Sequence, residues 1–234
     1  EDRIACVKML LEHGAAPNAG LPNHPGRSTV VTITNFTPLM DVLFAPCPRM
    51  EIAQMLIAAG SDVNTYIPDA PSRMGHWSPL QMVVTTLPLA REFPDGLDVI
   101  NLLLKAGADP NKAANNGSTA LMAASQNGHD LCALALIEAG AALEKVNKDS
   151  FTALMLSCQN GHELCALELL KAGASVNVAI EGGWTPLMYA ASFGRDRCAL
   201  ELLKAKADPN YATADGWTAL MFAAQNGHDL CALE

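Results

Sequence analysis

Thr119, Thr152, Thr185 and Thr218 stand 33 residues apart, and the residues around them repeat without gaps. The segments read STALMAASQNGHDLCALALIEAGA from Ser118, FTALMLSCQNGHELCALELLKAGA from Phe151, WTPLMYAASFGRDRCALELLKAKA from Trp184 and WTALMFAAQNGHDLCALE from Trp217. A fixed period of this size means that one small unit recurs, and such a unit cannot bury its apolar face alone. Stacking of neighbours has to supply the core. Of the 234 residues, 50% are hydrophobic, so a disordered tail or a small disulfide scaffold is excluded.

Stretched versions of the unit precede the regular ones. FTPLMDVL from Phe36 leads to IAAGSDVN, ending at Asn64, and WSPLQMVV from Trp77 leads to LLLKAGADPN, ending at Asn111. A partial unit, CVKMLLEHGAAPN, ends at Asn18. Together these residues resemble the ankyrin repeat, a β-turn followed by two antiparallel helices, over essentially the whole chain. The expected fold is therefore an all-α repeat, an ankyrin solenoid of stacked helix-turn-helix units with β-turn or hairpin fingers. The repeat boundaries predict one array over 1–234: a partial unit 1–18, stretched units 19–64 and 65–111, regular units 112–144, 145–177 and 178–210, and a partial unit 211–234. The partial units read as an excerpt of a longer array.

Local chemistry supports the same reading. Each repeated Thr precedes Ala or Pro and an apolar run, which suits an N-cap and a first helical turn. Gly128, Gly161, Gly194 and Gly227 mark the turn between the two helices, where positive φ is needed. The second helix ends at Gly140 and Gly173, but the equivalent residue of the sixth unit is Lys206. A left-handed backbone there costs about 1 kcal/mol. The inserts of the stretched units contain PNHPGRS and PDAPSRMGH, turn-forming stretches at the finger tips. Insertions in a solenoid gather on one face, often the binding face.

The chain departs from the ankyrin tetrapeptide TPLH. Met40, Met122, Met155, Met188 and Met221 replace its His, and Gln81 does so in the third unit. The family His hydrogen-bonds within and between repeats. Its loss predicts a stack held more by apolar packing, with thioethers filling the space, than by polar links between units.

Cys6, Cys132, Cys165, Cys198 and Cys231 share one register, with Ile52 and Val99 in the stretched units. Equivalent helices of stacked units lie roughly 10 Å apart, too far for disulfides, which need Cα atoms within about 7 Å. A buried thiol ladder is expected, and free thiols at this density predict a cytoplasmic or nuclear location. His129, His162 and His228 each precede one of these cysteines by three residues. The pairs belong to different units, and Arg195 replaces the His in the sixth, so a structural role is expected rather than a metal site. No GxSxG, GxxxxGK[ST] or Rossmann glycine pattern is present. His24, Cys47 and His76 lie in or near the irregular region without a third orienting group. The expectation is no catalytic residue, no cofactor and no small-molecule substrate.

By the ankyrin resemblance, binding falls to the fingers and inner helices, with another protein as partner. The position before each repeated Thr or Ser holds Phe36, Trp77, Ser118, Phe151, Trp184 and Trp217, so all three Trp residues share one register. Such aromatics resemble interface hot spots. Gln126, Gln159 and Gln225, with Phe193 in the sixth unit, close the first helices and complete the candidate surface. The net charge of -9 argues against nucleic acid, and no apolar run is long enough for membrane insertion. An alternative is a regulatory or structural segment of a larger enzyme, channel or assembly. The resemblance also implies an Asn hydroxylation position such as Asn64 or Asn177.

Overall fold

The structure is a computed structural model and describes residues 2–18, 37–43, 50–66, 77–86 and 95–228. It divides into two compact units, Glu1–Asn116 and Gly117–Glu234. The described residues of the first carry α1 (Asp2–Glu12), α2 (Pro38–Leu43), α3 (Met50–Ala58), α4 (Pro79–Thr86) and α5 (Asp95–Lys105). Those of the second carry α6 (Ala120–Asn127), α7 (Asp130–Glu138), α8 (Ala153–Asn160), α9 (Glu163–Lys171), α10 (Pro186–Ser192), α11 (Asp196–Lys204) and α12 (Ala219–Asn226). The described residues contain no strand beyond one isolated antiparallel bridge, Ala212 to Thr218.

In the second unit the sequence ruler becomes a stacking rule. The first helices α6, α8, α10 and α12 pack in order, each on the next, while α7, α9 and α11 form a parallel row behind them. The repeated Thr begins each first helix from extended backbone. Thr119 Oγ1 accepts from Met122 N at 3.3 Å, Thr152 Oγ1 from Met155 N at 3.3 Å and Thr185 Oγ1 from Met188 N at 3.4 Å. Thr218 has the same extended backbone but no side-chain cap bond. At the other end the chain turns left-handed at Gly128, Gly161 and Gly227, with φ of 74, 78 and 72°. Leu121, Leu154 and Leu187 are buried along the first helices, and Leu136, Leu169 and Leu202 along the second. Met40, Met122, Met155 and Met188 are also buried at the positions of the family His, whereas Met221 is exposed.

Polar links between repeats accompany this apolar packing, because backbone carbonyls of one repeat are reached by side chains of another. His162 Nε2 donates to Gln126 O at 3.0 Å, Arg195 Nε to Gln159 O at 3.1 Å and His228 Nε2 to Ser192 O at 3.2 Å. A second row runs through the residue closing each repeat: Glu144 Oε1 accepts from Ser175 N at 2.7 Å, and Asn177 Oδ1 from Asp208 N at 2.9 Å. In the first unit Asn18 Oδ1 accepts from Asp62 N and Asn64 Oδ1 from Asp109 N, both at 2.7 Å. There Gln81 also restores part of the lost His role. Its Oε1 accepts from Ser78 N at 2.9 Å, and its Nε2 donates to Lys112 O at 3.1 Å.

Candidate functional site

Each finger of the second unit is a tight turn whose closing bond fixes the aromatic residue after it. Asn147 N donates to Phe151 O at 3.1 Å, Ile180 N to Trp184 O at 3.1 Å and Thr213 N to Trp217 O at 2.9 Å. The next residue in two of the fingers is the capping Thr of a buried helix, Thr152 or Thr185, so these rings are held between a closed turn and a capped helix. Adjacent fingers are also tied, by Ala214 N donating to Gly182 O at 3.2 Å.

Phe151, Trp184 and Trp217 do not stand as separate anchors. Tyr189 lies between the first two, with ring centroids 5.1 Å from Phe151 and 5.0 Å from Trp184. Phe222 lies between the last two, 4.3 Å from Trp184 and 5.3 Å from Trp217. The five rings form one continuous ladder in which finger and first-helix aromatics alternate. All four pairs are tilted, and the three at 5.0–5.3 Å lie where aromatic pairs contribute about 0.5–1.5 kcal/mol beyond area burial. Tyr189 is buried, which pushes its phenol above the ordinary value. Phe151 and Trp184 are half-buried, and Trp217 is exposed. Sequence reading missed Tyr189 and Phe222, although both fall on the 33-residue ruler with Ala123 and Leu156.

The other candidates are placed less uniformly. Trp77 is half-buried ahead of α4, in the first unit, and Phe36 lies outside the described residues. Phe193 ends α10 with 45% of its surface exposed, and Gln126 and Gln225 are exposed on α6 and α12. Gln159 is half-buried. The main-chain carbonyls of Gln126 and Gln159 are engaged by His162 and Arg195, each from another repeat. Asn64 and Asn177 both serve as links between repeats, Asn64 also donating from Nδ2 to Gly107 O at 2.8 Å.

The thiols are arranged for packing. Cys132, Cys165 and Cys198 are buried free thiols, while Cys6 of the same register is exposed on α1 and Cys231 lies outside the described residues. Burial, aided by Asp130, pushes the Cys132 thiol up to about 11 and that of Cys165 up to about 12. Neither supplies a thiolate near neutral pH. The contact of Cys158 on α8 with Cys198, and next its complete burial, hold its thiol well above the ordinary value. Among the described residues no group of three or more His, Cys, Asp or Glu side chains is placed to hold a metal ion. No described helix is long and apolar enough to cross a membrane.

The stacked helix pairs, glycine-terminated helices and turn fingers define a helical repeat protein. A family model described as ankyrin repeats, in three copies, matches residues 89–180 and 179–233, and the chain belongs to the ankyrin-repeat family. Repeats of this family are generally protein–protein interaction modules and typically lack catalytic activity. A search of the curated proteins finds no match.

Proposed function

We infer that this chain is a non-catalytic scaffold that binds a partner protein on the finger and first-helix face, the concave face of ankyrin proteins. The observation that carries this reading is the five-ring ladder from Phe151 to Trp217, part-exposed on turn-closed fingers of which two lead into capped helices. Rigid aromatics bury much area on binding at low entropic cost, and a preorganised ladder loses little freedom when covered. Gln126, Gln159, Gln225 and Phe193 stand at the C-terminal ends of the first helices and add amide and apolar groups to the proposed surface. Trp77 belongs to the same sequence register and extends the proposal to the first unit.

Affinity capture with this chain, compared with a Trp77→Ala/Trp184→Ala/Trp217→Ala variant, tests the reading. The expected result is loss of the recovered partner with the fold intact by circular dichroism. Unchanged recovery removes the aromatic register from the binding surface.

A further inference from the structure

The ladder and the charges beside it specify the partner's chemistry. The first helices α6, α8, α10 and α12 contain no ionisable Asp, Glu, Lys or Arg. Charge on this face therefore comes from the fingers. The finger ahead of Trp184, residues 178–183, carries Glu181 and no cation; that ahead of Trp217, residues 211–216, carries Asp215 and no cation. Both carboxylates are exposed, Glu181 three residues before one indole and Asp215 two residues before the other. The Trp184–Trp217 end thus carries two finger carboxylates and no finger cation, while the finger ahead of Phe151 carries Lys145 and Lys148 against Asp149, on a chain whose net charge is -9.

A cation over an indole face is attracted by the ring quadrupole, and flanking carboxylates add a Coulombic term that an apolar or acidic ligand cannot use. The fold already uses this chemistry at a finger. In the first unit Lys112 Nζ sits 3.8 Å from the centroid of the Tyr66 ring, while also donating to the Asn64 carbonyl.

We propose that the Trp184–Trp217 end of the ladder receives a basic segment of the partner, with an arginine or lysine side chain over the indoles between Glu181 and Asp215. This rests on the aromatic face being the partner surface, and it selects one class of partner for that face. Guanidinium groups suit the site best, because they stack on planar rings and are weakly hydrated.

Fluorescence anisotropy with three labelled peptides tests the proposal: an Arg-Ser repeat, the same peptide with citrulline for arginine, and a Leu-Pro repeat. The Arg-Ser peptide should bind, and should weaken about tenfold with either Trp184→Leu/Trp217→Leu or Glu181→Gln/Asp215→Asn. The control Glu12→Gln/Glu51→Gln removes the same charge from exposed positions of the first unit and should leave the affinity within about twofold. Equal weakening by the two neutralised pairs, or citrulline binding as tight as arginine, overturns the proposal by reducing it to bulk charge or shape. Binding of the Leu-Pro peptide alone, lost with Trp184→Leu/Trp217→Leu, overturns the basic partner while the aromatic face stands. Absence of binding by all three overturns the basic segment, and the capture experiment then judges the face.

Discussion

The imidazole of His162 spans two repeats, its Nε2 donating to the carbonyl oxygen of Gln126 at 3.0 Å, and it fills the space that a side chain at Gly128 would need. A Cβ on Gly128 would stand 2.5 Å from His162 Nδ1, and the backbone there is left-handed at φ +74°. Arg195 over Gly161 and His228 over Gly194 repeat the arrangement. Glycine at this turn therefore answers two demands, positive φ and room for the reaching side chain of another repeat.

From this follows a coupled pair of substitutions. His162→Ala should cost about 1 kcal/mol, the net worth of an ordinary hydrogen bond. Gly128→Ala should cost more than about 1 kcal/mol, since strain adds to the displacement of the ring. In a His162→Ala background the Gly128→Ala cost should shrink, because the clash is gone. Urea midpoints of the four proteins measure this, and strict additivity would contradict the contact.

Lys206 is left-handed at φ 67°, where Gly140 and Gly173 close the equivalent helices. Its amide still donates to Leu203 O at 2.9 Å, so the turn is retained despite the side chain. Lys206→Gly should raise stability by about 1 kcal/mol, read as an increase in urea midpoint. No increase would show that the lysine stem recovers the strain by other contacts.

His129 gives the fold an acid sensitivity. Burial, and secondarily His162, hold its imidazole below the ordinary 6.5, with Asp130 opposing. As pH falls through about 6.5 the unfolded chain takes up this proton while the folded chain resists it. The stabilisation is thus complete above that pH and lost as pH falls toward the folded-state value. The urea midpoint should drop between about pH 7 and about pH 5, and the drop should lessen in His129→Gln. An unchanged slope in the variant would exclude His129 as its source.

Met122 and Met155 are 2% and 0% exposed. Restoring the family residue as Met122→His or Met155→His puts a polar ring into a thioether-shaped space, with a loss of about 1–3 kcal/mol. A gain in unfolding stability would mean that the imidazole finds partners the methionine packing conceals.

The repeat, the Thr caps and the turn glycines were legible because each is a local demand on one residue type. Lys206 could even be assigned its backbone strain from register alone. Links between repeats were not legible, since His162 and Arg195 pair with main-chain carbonyls, which every residue possesses and no spacing singles out. Tyr189 and Phe222 escaped for a related reason. Read within one helix they are ordinary apolar positions, and only stacking inserts Tyr189 between Phe151 and Trp184. The signal that marks them lies across repeats, where the column Ala123, Leu156, Tyr189, Phe222 passes from aliphatic to aromatic.

The most direct test of the account labels the three Trp residues with 5-fluorotryptophan and follows their fluorine resonances as the captured partner is added. Trp184 and Trp217 share the ladder through Phe222, so both resonances should shift together and saturably. Binding that leaves both unmoved would contradict the claim that the aromatic ladder is the partner surface.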